Sequence, residues 1–499
     1  MKKKLLLWVV IMLGIGTTFG TTTILRVNPG STATEDGLSW ESGFKTITAA
    51  IAVAGQPAAG DIVEIWVKAG IYSEASFYMQ TNVNVYGGFA GNETEREMRN
   101  WRTNVTTLMP SATAKRVIIR HSATSVKTAV WDGFTFTGAS GNTGSGGAVY
   151  LNNGNTLRNS IITGNNASAT GTAHGGGVYL DNGATIENCV ITNNTAKNGG
   201  GGVAGGHNNT LPPIKIINCI ITNNVANSAS GGGVFIGNYN AEVYNTLIAN
   251  NTTLATAGTG GFVMGSSTSA LNAKLINCTV VNNLGGDTGF GGVNMFTATA
   301  NGMEITNCII SGNRKAGDPQ TVNNININTP DNVIVTYNGI EELPLDFEGN
   351  NNIDLTSNQF NNPILNVGHQ SSLPEYDWSL LAGSTCRNTG NNTAVYGTKD
   401  LAGNDRITQS IVDLGAYESS PTTFINDEIE DNTFYYDPVS KNICMNKAEK
   451  VEIFDINGRR VLSEKNIFGS LNTNMLNNGV YIISFTTNDK NSVHKFLKY

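Results

Sequence analysis

The sequence predicts an all-β chain wound as a right-handed parallel β-helix solenoid. Three observations lead there. First, one segment recurs: TLRNSIITGNN from Thr156, TIENCVITNN from Thr185, KIINCIITNN from Lys215, EVYNTLIANN from Glu242, KLINCTVVNN from Lys274 and EITNCIISGN from Glu304. Its asparagines Asn159, Asn188, Asn218, Asn245, Asn277 and Asn307 lie 29, 30, 27, 32 and 30 residues apart, a period that signals stacked coils rather than one globular core. Second, apolar residues alternate within each copy, as strands with one buried face require. Third, 58 of the 499 residues are glycine and only 14% are charged, which suits short strands joined by turns that need positive φ.

The N-terminus carries Lys2, Lys3 and Lys4, an apolar run from Leu5 to about Ile15, and small residues to Gly20. This is the layout of a signal peptide over residues 1–20, and the apolar run is short for a membrane span. The first cysteine is Cys189, so no lipid-anchor cysteine lies near the cleavage site. Phe44, Ile47, Ala50 and Ile51 follow at helical spacing with Ser39 or Ser42 as N-cap, an N-terminal helical cap for the first coil. A strand is expected over Ile62–Val67, and the solenoid runs over residues 21–420.

Within the repeat, Leu157, Ile186, Ile216, Val243, Leu275 and Ile305 form one inward column, and Ile162, Ile191, Ile221, Ile248, Val280 and Ile310 another. A second strand per coil reads GGAVYL from Gly146, GGGVYL from Gly175 and GGGVFI from Gly231. The Asn159 column is expected to turn a corner in the left-handed region and to hydrogen-bond coil to coil as a structural ladder. Asn165, Asn194, Asn224, Asn251, Asn283 and Asn313 close the other end of the same strand. Stacking accounts for these columns without invoking sugar ligands. Lys215, Glu242, Lys274 and Glu304 alternate in sign, as do Asp132, Arg158 and Glu187, and read as weak register-setting pairs. Cys189 and Cys219, and Cys278 and Cys308, fall in adjacent coils. Disulfides are within reach in an exported protein, but in-register strands point both Cβ atoms one way, so buried free thiols are expected. Ile161, Val190, Ile220, Leu247, Thr279 and Ile309 form an outward stripe, a surface for a long loop or a partner. Insertions at Ala167–His174 and Gly205–Pro213 fringe one face.

The net charge of −7 gives no polybasic surface, which argues against a nucleic-acid partner. The cysteines and five histidines lack zinc spacing, so no metal or other cofactor is expected. Acids are sparse in the repeats. A catalytic set would have to come from Asp287, Glu304 and Arg314, with Ca²⁺ needed only if the chain were a lyase. His174 and His207 sit in glycine-rich turns and read as exposed loop histidines.

The cues IWVKAGIY (Ile65–Tyr72), VYGGFAGNETE (Val85–Glu95), RNW (Arg99–Trp101) and VDLGAYE (Val412–Glu418) carry a resemblance. Over Leu25–Glu418 the chain resembles secreted bacterial β-helix proteins of pectate-lyase-like architecture, common among surface proteins of Bacteroidetes. After a linker at residues 421–432, residues 433–499 carry VEIFDINGRRVL and LNNGVYIISF, with Gly458, Arg459, Gly479, Tyr481 and Lys495 in the pattern. Asn457-Gly458 between two alternating apolar runs is a hairpin signal. This tail resembles the C-terminal sorting domain of type IX secretion, with Asp437 where that family usually has Asn. The resemblance implies a small Ig-like β-sandwich, recognition by the outer-membrane translocon, and release or attachment to surface lipopolysaccharide. The functional expectation is a non-catalytic cell-surface or secreted module that binds polysaccharide or host matrix. The alternative is a polysaccharide lyase or glycoside hydrolase acting on acidic polysaccharide.

Overall fold

The computed structural model describes residues 20–111, 116–119, 129–140, 144–167, 173–206, 212–266, 272–297, 302–328, 330–364, 366–419, 434–437, 442–455, 458–477, 479–487 and 490–498. The expected signal peptide (but for Gly20), the linker, His207 and the tips of the two insertions lie outside these residues.

Between Val149 and Lys315 six coils each pass through four short strands, as in Val149–Leu151, Thr156–Arg158, Ile161–Thr163 and Asn166–Ala167. Each pairs in parallel with its equivalent in the next coil, and like positions lie over like: Leu157 over Ile186, Ile162 over Ile191, Val149 over Val178. The described strands of the coils make two eleven-stranded sheets, one of nine and one of seven. Those containing Thr156–Arg158 and Ile161–Thr163 are called here the first and second sheets. The two-residue strands of the seven-stranded sheet carry too little alternation to be seen in the sequence.

The inward columns fill the interior, with Leu157, Ile186, Ile216, Ile162, Ile191 and Ile221 fully buried. Glycine is required where the coils nearly touch. A Cβ on Gly176 would strike the carbonyl of Gly201, and one on Gly201 that of Gly232.

The helix covers only Ile47–Ala54, shorter than the spacing suggested, and its N-cap is Thr46 rather than Ser39 or Ser42. Thr46 Oγ1 accepts from Ala49 N at 3.1 Å, and the Glu74 carboxylate takes the Ile47 and Thr48 amides at 2.9 and 3.0 Å. These acceptors satisfy first-turn donors that have no intrahelical partner. Ser39 and Ser42 instead close a turn, with Ser42 Oγ donating to Asp36. Ile47 and Ala50 pack into the solenoid core.

After the last coil the chain doubles back as a strap over the second sheet. Leu355, Phe360, Ile364, Trp378, Leu380 and Leu414 form one buried cluster with Leu247, Ala249, Val281 and Ile309. The outward stripe therefore does pack against a long segment over Leu247, Thr279 and Ile309, while Ile161 and Val190 stay half-exposed.

A second compact unit begins at Thr422. Strand Asn442–Asp455 pairs antiparallel with Arg460–Asn472 and Gly479–Thr487, and the latter with Lys490–Lys498. The first two of these strands form a hairpin, while Asn457 of its expected turn lies outside the described residues. Gly458 has φ 78 and donates to Asp455 O, and Arg459 Nε donates to Asp455 Oδ2 at 3.0 Å. Tyr481 donates its hydroxyl to Asn477 O, Gly479 opens its strand, and Lys495 lies on the last one. Ile443, Val451, Ile453, Ile483 and Phe485 make its core, the packing of a small β-sandwich.

Candidate functional site

The asparagine columns divide the labour in a way their composition does not reveal. Asn159, Asn188, Asn218, Asn245, Asn277 and Asn307 all adopt φ between 47 and 57, the left-handed corner expected of them. Their amides make one coil-to-coil rung, Asn188 Nδ2 to Asn159 Oδ1 at 3.3 Å. Farther along, Asn245 donates to the carbonyls of Tyr396 and Lys399, and Asn307 to that of Asn391, so they fasten the strap. The continuous ladder runs instead through the other column. From Asn165 through Asn194, Asn224, Asn251 and Asn283 to Asn313, each Nδ2 donates to the next Oδ1 at 2.9–3.1 Å. These residues are 0–1% exposed.

Cys189, Cys219, Cys278 and Cys308 are free and buried. Burial raises the Cys189 and Cys308 thiols, whose Sγ atoms donate to carbonyls such as Glu187 O and Leu275 O. His174 stacks on Phe235 with centroids 5.5 Å apart, and burial lowers its pKa.

Asp287, Glu304 and Arg314 are not brought into contact. Asp287 is exposed in a turn. Glu304 sits on the first sheet, 3.8 Å from Lys274, and accepts from Thr306 Oγ1. Arg314 lies on the seven-stranded sheet and pairs with Glu341 at 3.3 Å. Lys215 likewise pairs with Glu242 at 3.1 Å. Among the described residues no group of three His, Cys, Asp or Glu side chains is placed to hold a metal ion.

A groove of about 390 Å³ opens on the outer face of the first sheet. Its lining brings together Arg96, Arg99, Arg158, Glu97, Asp132, Glu187, Trp101 and the corner residues Asn159 and Asn188. Its floor is one outward column, in which Tyr86, Asp132, Arg158 and Glu187 occupy equivalent positions of successive coils. Its wall is the loop after Val83–Phe89. Gly88 and Gly133 leave room for Trp101, because a Cβ on either would strike it. Asp132, 1% exposed, ties wall to floor: Arg99 Nη2 and Arg158 Nε each lie 2.6 Å from its carboxylate. Arg96 pairs with Glu64 at 2.6 Å and with Glu97 at 2.8 Å, and its guanidinium sits 5.0 Å from the Tyr86 ring centroid. The sequence displayed the alternating charges Asp132, Arg158 and Glu187, but nothing periodic marked the loop that folds over them.

At the strap's end, Glu418 is 3% exposed and accepts from Thr408 N and Asp413 N. Burial first, and then the Asp413 carboxylate, push it up to about 7, against these hydrogen bonds and Arg406. Its proton is therefore held more tightly folded than unfolded. The stability it contributes is present in acid and declines as pH rises from the ordinary glutamate range, ~4.3, through about 7. Urea midpoints of the native chain should fall over that window, and Glu418→Gln should flatten the profile. An unchanged slope in Glu418→Gln would contradict the assignment.

Residues 435–499 match the family model described as the secretion system C-terminal sorting domain. No curated protein matches the chain. The chain is thus a parallel β-helix carrying a type IX secretion sorting tail, a tail that implies interaction with the secretion machinery and export to the cell surface or beyond.

Proposed function

We propose that the exported β-helix is a non-catalytic module that binds polysaccharide, whether free glycan or host matrix. Residues 1–20 direct it across the inner membrane, the tail engages the translocon, and the mature protein is released or fixed to surface lipopolysaccharide. The observation that carries this reading is the groove on the first sheet, where a half-exposed tryptophan and planar polar side chains stand on a rigid stack of strands. Aromatic surface beside a few fixed polar groups is the usual make-up of a ligand site. The Arg99–Asp132–Arg158 bridge serves to build that site. The rival reading, a lyase or hydrolase of acidic polysaccharide, requires clustered carboxylates or a Ca²⁺ site. The purified chain should be incubated with neutral and uronate-rich polysaccharides, with Ca²⁺, following retained glycan, new reducing ends and unsaturated products. Retention without new ends is expected, and steady turnover of any polymer would overturn the proposal.

A further inference from the structure

The groove's hydrogen-bonding inventory says which glycan it takes. Arg96 is committed to Glu64, Glu97 and the Tyr86 hydroxyl. Arg99 spends its Nη atoms on Gly87 O and on Asp132. Asn159 donates to Asp132 and accepts from Asn188. What remains open is a short row. Arg158 uses only Nε, its Nη atoms meet no partner among the described residues, and its side chain is 36% exposed. Glu187, its register neighbour in the next coil, makes no ion pair among the described residues. Asn188, exposed at the adjoining corner, offers a free Oδ1. Trp101, half-exposed at the wall, carries the Arg102 guanidinium 4.2 Å from its ring centroid and supplies the ring surface that this leaves uncovered.

We infer that this row is a subsite for an uncharged, hydroxyl-rich glycan, an inference that rests on the glycan-binding reading above. A hydroxyl both donates and accepts. The Arg158 guanidinium presents donors only and the Glu187 carboxylate acceptors only, one coil apart at ~4.8 Å, so neighbouring hydroxyls of one sugar meet complementary partners. A uronate or sulfate would find its one open cation shared with Asp132 and the unpaired Glu187 carboxylate beside it. Like charges at such spacing repel. With three guanidinium groups facing three carboxylates in the lining, no net positive field remains to draw a polyanion.

The test uses the full chain and three probes: galactomannan oligosaccharides, laminarin and polygalacturonate, titrated at low salt. Polygalacturonate is expected to bind about tenfold or more weakly than the better neutral probe. Glu187→Gln, which keeps shape and removes the charge, should narrow that gap. Asn188→Gly keeps the left-handed corner and should weaken the neutral probe severalfold. Unfolding midpoints matching the native chain would establish that both variants fold. Tighter binding of polygalacturonate overturns the inference. So does neutral binding that neither variant alters, which would leave glycan binding standing but place it elsewhere. Failure of all three probes, and of a wider glycan array, would remove the glycan reading itself.

Discussion

Asn224→Leu is expected to destabilise the solenoid more than any other single change in the repeats. Asn224 Oδ1 accepts from the Asn194 backbone amide at 2.9 Å and from its Nδ2 at 3.1 Å. Its own Nδ2 serves Asn251 Oδ1, Ile191 O and Thr222 O. Leucine fills a similar volume but strands these groups without water. A buried polar group left unmade costs ~1–3 kcal/mol, and several lose their partner together, so a loss of roughly 3–5 kcal/mol is expected. Urea denaturation followed by far-UV circular dichroism measures it. The informative contrast is Asn218→Gly in the other column. Asn218 has φ 51, which glycine accepts, and its Oδ1 has no partner among the described residues, so this change should stay within about 1 kcal/mol. Equal losses at the two sites would contradict the assignment of ladder and corner.

Asp132→Ala is expected to detach the wall of the groove. The carboxylate is buried between Arg99, whose side chain is 12% exposed, and Arg158. Removing one member of a buried ion pair leaves a desolvated charge and typically costs about 3–5 kcal/mol. Because Arg99 belongs to the loop and Arg158 to the next coil, the loss should appear locally first. Limited proteolysis should cut between Thr94 and Thr103 well before the repeats, and glycan retention should fall with it. Asp132→Asn, whose Oδ1 can still accept from one arginine while its Nδ2 cannot accept from the other, should lie between alanine and the native chain. Cleavage unchanged from the native chain in Asp132→Ala would show that the loop is held by Trp101 packing alone.

Much of this architecture was legible because a solenoid writes its geometry as columns. The inward positions Leu157 and Ile162 and their equivalents, the glycine strand and the left-handed asparagine corners all follow from period and alternation. The role of each asparagine column did not. Both consist of the same residue at the same period. What separates them is direction: the Asn165 column follows a second left-handed corner at Gly164, Asn193, Asn223, Asn250, Asn282 and Gly312 and turns its side chains inward. Composition carries no record of that turn.

The strap and the groove were hidden for a different reason. Neither the residues after Ile353 nor the loop from Gly87 to Asn104 repeats, so no column reports where they fold back. Their contacts are long-range: Asn223 with Gln370, Thr279 with Ala416, Arg99 with Asp132. The helix start was misplaced for a similar cause, since Glu74, which receives its first amides, lies in a later strand. The open pair at the groove was visible as alternating charge and read as register-setting. Only the structure shows that Asp132 engages Arg158 and leaves Glu187 free.

Delivery and binding meet in one measurement on cells. Cells of a type IX-secreting bacterium producing the full chain, and cells producing a chain ended before residue 435, are exposed to a fluorescent glycan chosen by the array and washed. Label should be retained on the surface of the first cells, lost with Glu187 and Asn188 substituted together, and absent from the second, whose protein stays inside. Equal labelling of both cell types, or release of labelled fragments into the medium by the first, would contradict it.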